Sequence, residues 1–62
     1  MKYRIKRFPY KGKLLYMPQR RGWYFWHDMI INDIQVEYTE TQLYFMSCKS
    51  SCTYYIESYD DN

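Results

Sequence analysis

The stretch Leu14–Ile31, LLYMPQRRGWYFWHDMII, holds both tryptophans, the only histidine, one of the two prolines and one of the two glycines of the chain. It reads as the central ribbon of a small sheet, with the rest of the chain folded over it. There is little else to build with. Sixty-two residues make one domain, 1–62, and a chain of that size buries only about 60% of the surface its unfolded form exposes. Rings offset the shortage, because each Phe, Tyr or Trp can bury roughly 150–250 Å² and aromatic residues are 23% of the chain. Nine of them are tyrosines, which bring an apolar body and a hydroxyl that stays wet at a rim. The mean hydropathy of −0.75 resembles that of a disordered chain, but the aromatic content argues against disorder.

Around the ribbon the period is mostly two. In Lys2–Phe8, Tyr3 and Ile5 point one way and Lys2, Arg4 and Lys6 the other, the pattern of a half-buried strand with a basic outer face. Phe8-Pro9-Tyr10-Lys11-Gly12 supplies a hairpin loop of four or five residues. Lys13–Met17 returns antiparallel. Pro18 cannot donate to a ladder and marks an edge, a bulge or the end of the strand. Gln19–Gly22 then connects to a third strand, Trp23–Asp28. On it Trp23, Phe25 and His27 share one face, and Tyr24, Trp26 and Asp28 the other. The first face is the less charged and makes the better core, which leaves Trp26 for a partner. Asn32-Asp33 reads as a turn. A fourth strand follows at Ile34–Tyr38, broken at Thr39–Gln42.

The last third admits two readings. Cys48, Cys52, Tyr55, Ile56 and Tyr59 form one stripe of an amphipathic helix, with Ser47 as its N-cap. Alternatively, Thr53–Ile56 favours a strand, and Lys49-Ser50-Ser51 would turn a hairpin that makes a Cys48–Cys52 disulfide geometrically possible. The helix is preferred, because a small sheet needs something to cover one face. The expected fold is α+β: a small antiparallel meander of three to four strands with a C-terminal helix packed on one face.

Charge is lopsided although the net is only +2. Residues 1–26 carry eight cations and no acid; residues 27–62 carry seven acids against Lys49 alone. Such asymmetry suits a nucleic acid or an acidic partner, and it equally suits two halves that neutralise each other within one fold or between two copies. No apolar segment follows Lys2 and Arg4 as a secretory signal would require, and no apolar run is long enough to span a bilayer. Two cysteines make no disulfide framework, so a reducing cytoplasm is the expected setting.

Chemistry is thinly represented. His27 sits beside Asp28, and successive strand residues point to opposite faces, so the pair makes no His–carboxylate unit and no catalytic residue is assigned. Cys48-x-x-x-Cys52 with His27 falls short of the four ligands a structural zinc site uses; two small buried thiols are the better reading, and neither metal nor cofactor is expected. The two glycines form no phosphate cradle. Arg21-Gly22-Trp23-Tyr24-Phe25 is similar to an RNA-recognition signature, but departs from it at Tyr24 and at Asp28. Exposed rings beside cations would still make a single-strand stacking platform. Trp, Tyr and Arg are also the residue types that dominate protein interfaces.

Four short motifs point to a family. Lys2-Tyr3-Arg4-Ile5, Tyr16-Met17-Pro18-Gln19, Trp23-Tyr24-Phe25-Trp26 and Tyr55-Ile56 together resemble the opening strand, Tyr-x-Pro-Gln segment, aromatic strand and closing helix of small accessory proteins of tailed bacteriophages. The resemblance implies a non-enzymatic protein in the cytoplasm of an infected bacterium. It would bind and inhibit or redirect a host protein, a defence complex included, in the manner of anti-CRISPR inhibitors. The residues expected to meet that partner are Arg20, Arg21, Trp23, Tyr24 and Trp26. The alternative is a small nucleic-acid-binding protein with Lys2, Arg4, Lys6, Arg20 and Arg21 on phosphates and Tyr24 or Trp26 stacking on bases. A homo-oligomeric structural protein, a homodimer in the simplest case, is a second alternative. No membrane is expected among the partners.

Overall fold

The computed structural model describes residues 2–31 and 37–60. Among them, β1 (Tyr3–Tyr10), β2 (Lys13–Arg21) and β3 (Trp26–Asp28) form one antiparallel sheet in the order β1-β2-β3, followed by α1 (Glu40–Met46) and α2 (Lys49–Asp60). The α+β class is as expected, with β2 in the middle.

The first hairpin is tighter than the loop expected from Phe8–Gly12. Lys11 and Gly12 both have positive φ, 48° and 78°, the mirror-image turn that matches the twist of paired strands. Two residues therefore suffice, and pairing continues to Tyr10↔Lys13. Pro9 is tolerated within β1 because of its place in the register. Arg21 N–H donates to the Lys2 carbonyl at 2.7 Å, so even-numbered residues of β1 bond to β2 and odd-numbered ones face the free edge. Pro9 faces that edge, where a missing N–H costs no ladder bond.

Pro18 does not end β2, which runs on through the expected connection at Gln19 to Arg21. The Pro18 carbonyl accepts from Met29 N–H at 2.9 Å. A strand residue's N and C=O point to the same side, so Pro18 turns its proton-less nitrogen toward the β3 side, one step past the end of β3. The β1·β2 ladder is untouched. Two residues further back along β2, on the same side, the Tyr16 carbonyl accepts from the Cys52 thiol of α2 at 3.4 Å.

The register sets the faces. Arg4, Lys6, Phe8 and Tyr10 lie on one face with Leu15, Met17, Gln19, Arg21, Trp26 and Asp28; Tyr3, Ile5, Arg7, Tyr16, Pro18, Arg20 and His27 lie on the other. Leu15 and Met17 meet Met46 of α1 in the core, flanked by Phe8, Tyr10, Ile30, Tyr38 and Leu43. α2 lies against β2 and β1. Toward the other end of the first face a polar line crosses all three strands. Arg4 Nε donates to Gln19 Oε1 and Gln19 Nε2 donates to Asp28 Oδ1, both at 2.7 Å. Both ends of the buried Gln19 amide are thereby satisfied.

The C-terminal half holds two helices where one was expected. Thr39–Gln42 does not merely break a strand. Thr39 Oγ1 accepts from Gln42 N–H at 3.2 Å and Gln42 Oε1 accepts from Thr39 N–H at 2.9 Å, a reciprocal capping box that starts α1. Ser47 is the C-cap of α1, not the N-cap of the next helix, and α2 begins at Lys49. The helical reading holds over residues 49–59, with Cys48 just outside the helix, and the hairpin with its disulfide does not, both cysteines being free. Cys52 is buried but Cys48 is exposed, so the pair of buried thiols is corrected to one. Of the expected fourth strand and its turn, residues 32–36 lie outside the described residues; Glu37 and Tyr38 are not strand. They close the basic half on the acidic half instead: Lys11 pairs with Glu37, and Tyr38 N–H donates to the Tyr10 hydroxyl at 3.3 Å.

Candidate functional site: the aromatic tip of the second hairpin

The third strand is shorter than the expected Trp23–Asp28. β3 spans only Trp26–Asp28, and Arg21↔Trp26 is its last ladder pair. Gly22 N–H still donates to the Phe25 carbonyl at 2.8 Å, which carries the pairing one step further and leaves Trp23 and Tyr24 as the turn. Gly22 is required by proximity. A Cβ there would lie 2.6 Å from Cδ2 of His27, against Nε2 of the same ring, and 2.9 Å from the Phe25 carbonyl oxygen. The imidazole sits where a side chain would be.

The tip reverses the expected roles of the rings. Trp23 is 94% exposed, Tyr24 84% and Phe25 72%, so Trp23 and Phe25 are not core. Trp26, assigned to a partner from sequence, is half-buried with the Arg4 guanidinium 4.3 Å from its ring centre. The physical reason is register: Trp26 is the first residue locked into the ladder and stands beside the Arg4–Gln19–Asp28 line, whereas Trp23 and Tyr24 form the turn and Phe25 faces only Gly22, which has no side chain to cover it. Neighbouring rings of the tip are 6.5 Å apart at interplanar angles of 56° and 64°. They fan outward and do not form a flat platform.

Arg20 and Arg21 are both exposed directly behind the tip. Being successive strand residues they stand on opposite faces, Arg20 across from His27 and Arg21 across from Trp26. The five residues expected to meet a partner thus lie at one end of the molecule, Arg20, Arg21, Trp23 and Tyr24 exposed and Trp26 half-buried. Phe25 belongs with them and was missed. Its signal was Gly22 itself, since a glycine three residues before Phe25 puts the two intervening rings in a turn.

The phosphate-binding set is less coherent. Lys2, Arg4, Lys6 and Arg21 share a face by register, but Arg20 is on the other. Arg4 is held by Gln19 and Trp26, and Asp28 stands on the same face. Of the two rings proposed to stack on bases, Tyr24 is exposed and Trp26 is half-buried beneath Arg4.

Elsewhere, an open groove of about 370 Å³ is lined by Met29, Ile30, Ile31, Gln42, Phe45 and Tyr55, among others. Cys48, just before α2, lies with its sulfur 2.9 Å from Ser50 Oγ. Hydrogen bonds from the Ser50 hydroxyl first, then from the Ser51 and Ser50 backbone, lower its pKa to about 7. Burial pushes the Cys52 thiol up, with Cys48 adding to the rise. Among the described residues no three of His, Cys, Asp and Glu converge as a metal site would require, and no helix is long and apolar enough to cross a membrane. Neither the protein-family models nor the curated proteins nor the solved structures include a match to this chain.

Proposed function

We propose that the protein works by binding, not catalysis, as a bacteriophage accessory protein that engages a component of the host from the cytoplasmic side, and that the β2–β3 tip makes the contact. One observation carries the mode of action. A domain short of core leaves three consecutive rings, Trp23, Tyr24 and Phe25, at 72–94% exposure on the end of a hydrogen-bonded hairpin. Each ring has roughly 150–250 Å² to bury, at about 25 cal/mol per Å², so the tip holds several kcal/mol of burial that the fold itself leaves unused. Exposed Arg20 and Arg21 behind it are the residue type most suited to anchoring such a contact. The resemblance of four short motifs to phage accessory proteins supports the setting, and blocking or redirecting the bound component is the effect that follows.

The test uses two proteins, the wild type and Trp23→Ala/Phe25→Ala. Both are expected to unfold at the same temperature, because the tip contributes nothing to the core. Immobilised wild type is expected to retain host material from whole bacterial lysate, envelope included, that the double variant does not retain. Equal retention by the two proteins would remove the tip as the contact.

A further inference from the structure

We propose that this tip seats in an anionic phospholipid surface, with its rings in the interfacial layer and its arginines among the headgroup phosphates. The inference rests on the reading of the tip as a binding element and names what it binds. It departs from the expectation that no membrane is involved, which concerned segments long enough to span a bilayer. A tip that dips into the interface needs three rings and no span.

The first support is shape. The tip is convex, with rings splayed at 56° and 64°, and the grooves found among the described residues are lined by other parts of the chain. A knob of fanned rings suits a medium that closes around it. The second is the placement of charge. Arg20 and Arg21 sit at one height on opposite faces of the ribbon, and Lys2 is bonded alongside Arg21 through its carbonyl. A partner that covered one face would leave an arginine behind on the other. A plane met end-on receives both, and each cation near an anionic leaflet adds a similar increment of attraction. The third is residue type: Trp and Tyr prefer the headgroup level of a bilayer, where their rings are apolar and their polar atoms stay hydrated. The carboxylate on β3, Asp28, is three residues back from Phe25, roughly 10 Å along a strand, and accepts a hydrogen bond from Gln19.

The experiment mixes the full chain with vesicles of phosphatidylcholine alone or of phosphatidylcholine with phosphatidylglycerol. Trp26→Phe keeps a ring beneath Arg4 and leaves Trp23 as the fluorophore. Co-sedimentation with the anionic vesicles is expected, with a blue shift of Trp23 emission, quenching by brominated lipid, and weaker binding to the neutral vesicles. Arg20→Gln and Arg21→Gln are each expected to weaken binding about fivefold, to the same degree. Trp23→Ala is expected to weaken it at least about tenfold. Absence of co-sedimentation at low salt overturns the inference, as does binding that is indifferent to Trp23→Ala. If vesicles fail while a soluble host protein or a single-stranded oligonucleotide is held in a Trp23-dependent way, the lipid inference falls and the binding tip stands. If nothing is held, both fall.

Discussion

At the scale of single residues, Gly22 is the position where one carbon atom decides local structure. Its neighbours leave no room for a Cβ, one of them being the backbone oxygen of Phe25, so Gly22→Ala must displace both the imidazole and the turn. A cost of about 1–3 kcal/mol is expected, as for overpacking elsewhere, which for a domain of this size lowers the melting temperature by roughly 4–8 °C per kcal/mol. Removing the ring in the same molecule, Gly22→Ala with His27→Ala, is expected to recover part of the loss in a double-mutant cycle. Additive losses would mean that the imidazole is not the obstacle. Sequence alone placed Gly22 at the end of the connection into the third strand but could not show this, because the crowding comes from the diagonal His27 ring and the facing Phe25 carbonyl, which only the register brings beside it. The same limit explains the exchange of roles between Trp23 and Trp26. Alternation assigns faces correctly within a ladder, but the ladder starts only at Trp26, and alternation says nothing about rings that precede it.

Among the elements, the helices show what short-range pattern can and cannot deliver. Thr39-x-x-Gln42 is a capping-box signature present in the sequence, yet the seven residues of α1 are too few to display a 3.6-residue period. Thr39→Ala is expected to cost about 1 kcal/mol, read as a lower midpoint in urea with an unchanged slope. An unchanged midpoint would show that α1 stands without its cap. α2 was legible because its stripe runs for twelve residues, although its start was placed too early, with Ser47 serving the preceding helix. The two cysteines report on that start. Cys48 has its pKa lowered to about 7 by Ser50 and the neighbouring amides, and the thiolate is the reactive form. Alkylation of Cys48 in the folded protein is therefore expected to rise with pH through about 7, and Ser50→Ala should move the midpoint up toward the ordinary thiol range. Cys52, buried and bonded to the Tyr16 carbonyl, is expected to react only after unfolding. Peptide mapping after iodoacetamide separates the two, and equal labelling of both would contradict the packing of α2 on β2.

Taken whole, the molecule keeps its core and its exposed aromatic tip in different places, and that separation can be measured. Among the described residues the fully enclosed apolar side chains are few: Met17, Pro18, Met46 and Cys52, with Leu15 nearly so. The most aromatic stretch of the chain lies outside that set, which is why composition located the ribbon but not the core. Charge divides in a similar way. Lys11 and Glu37 join the basic and acidic halves, while Arg20 and Arg21 stay exposed behind the tip. Met46, with no exposure at all, is the fully buried residue of α1 and joins Leu15 and Met17 in the core cluster. Its truncation to Ala is expected to cost about 2–5 kcal/mol. A domain of this size has total stability of roughly that order, so Met46→Ala should lose cooperative unfolding at room temperature, whereas Met46→Leu should cost less than about 1.5 kcal/mol. Trp23→Ala removes a far larger side chain and is expected to change stability by no more than about 0.5 kcal/mol. Trp26→Ala, which strips the ring from beneath Arg4, should fall between them at about 1 kcal/mol. Thermal melts of the four variants test the ordering. A Trp23→Ala protein as unstable as Met46→Ala would place the tip in the core and leave the molecule without an exposed ring cluster to bind with.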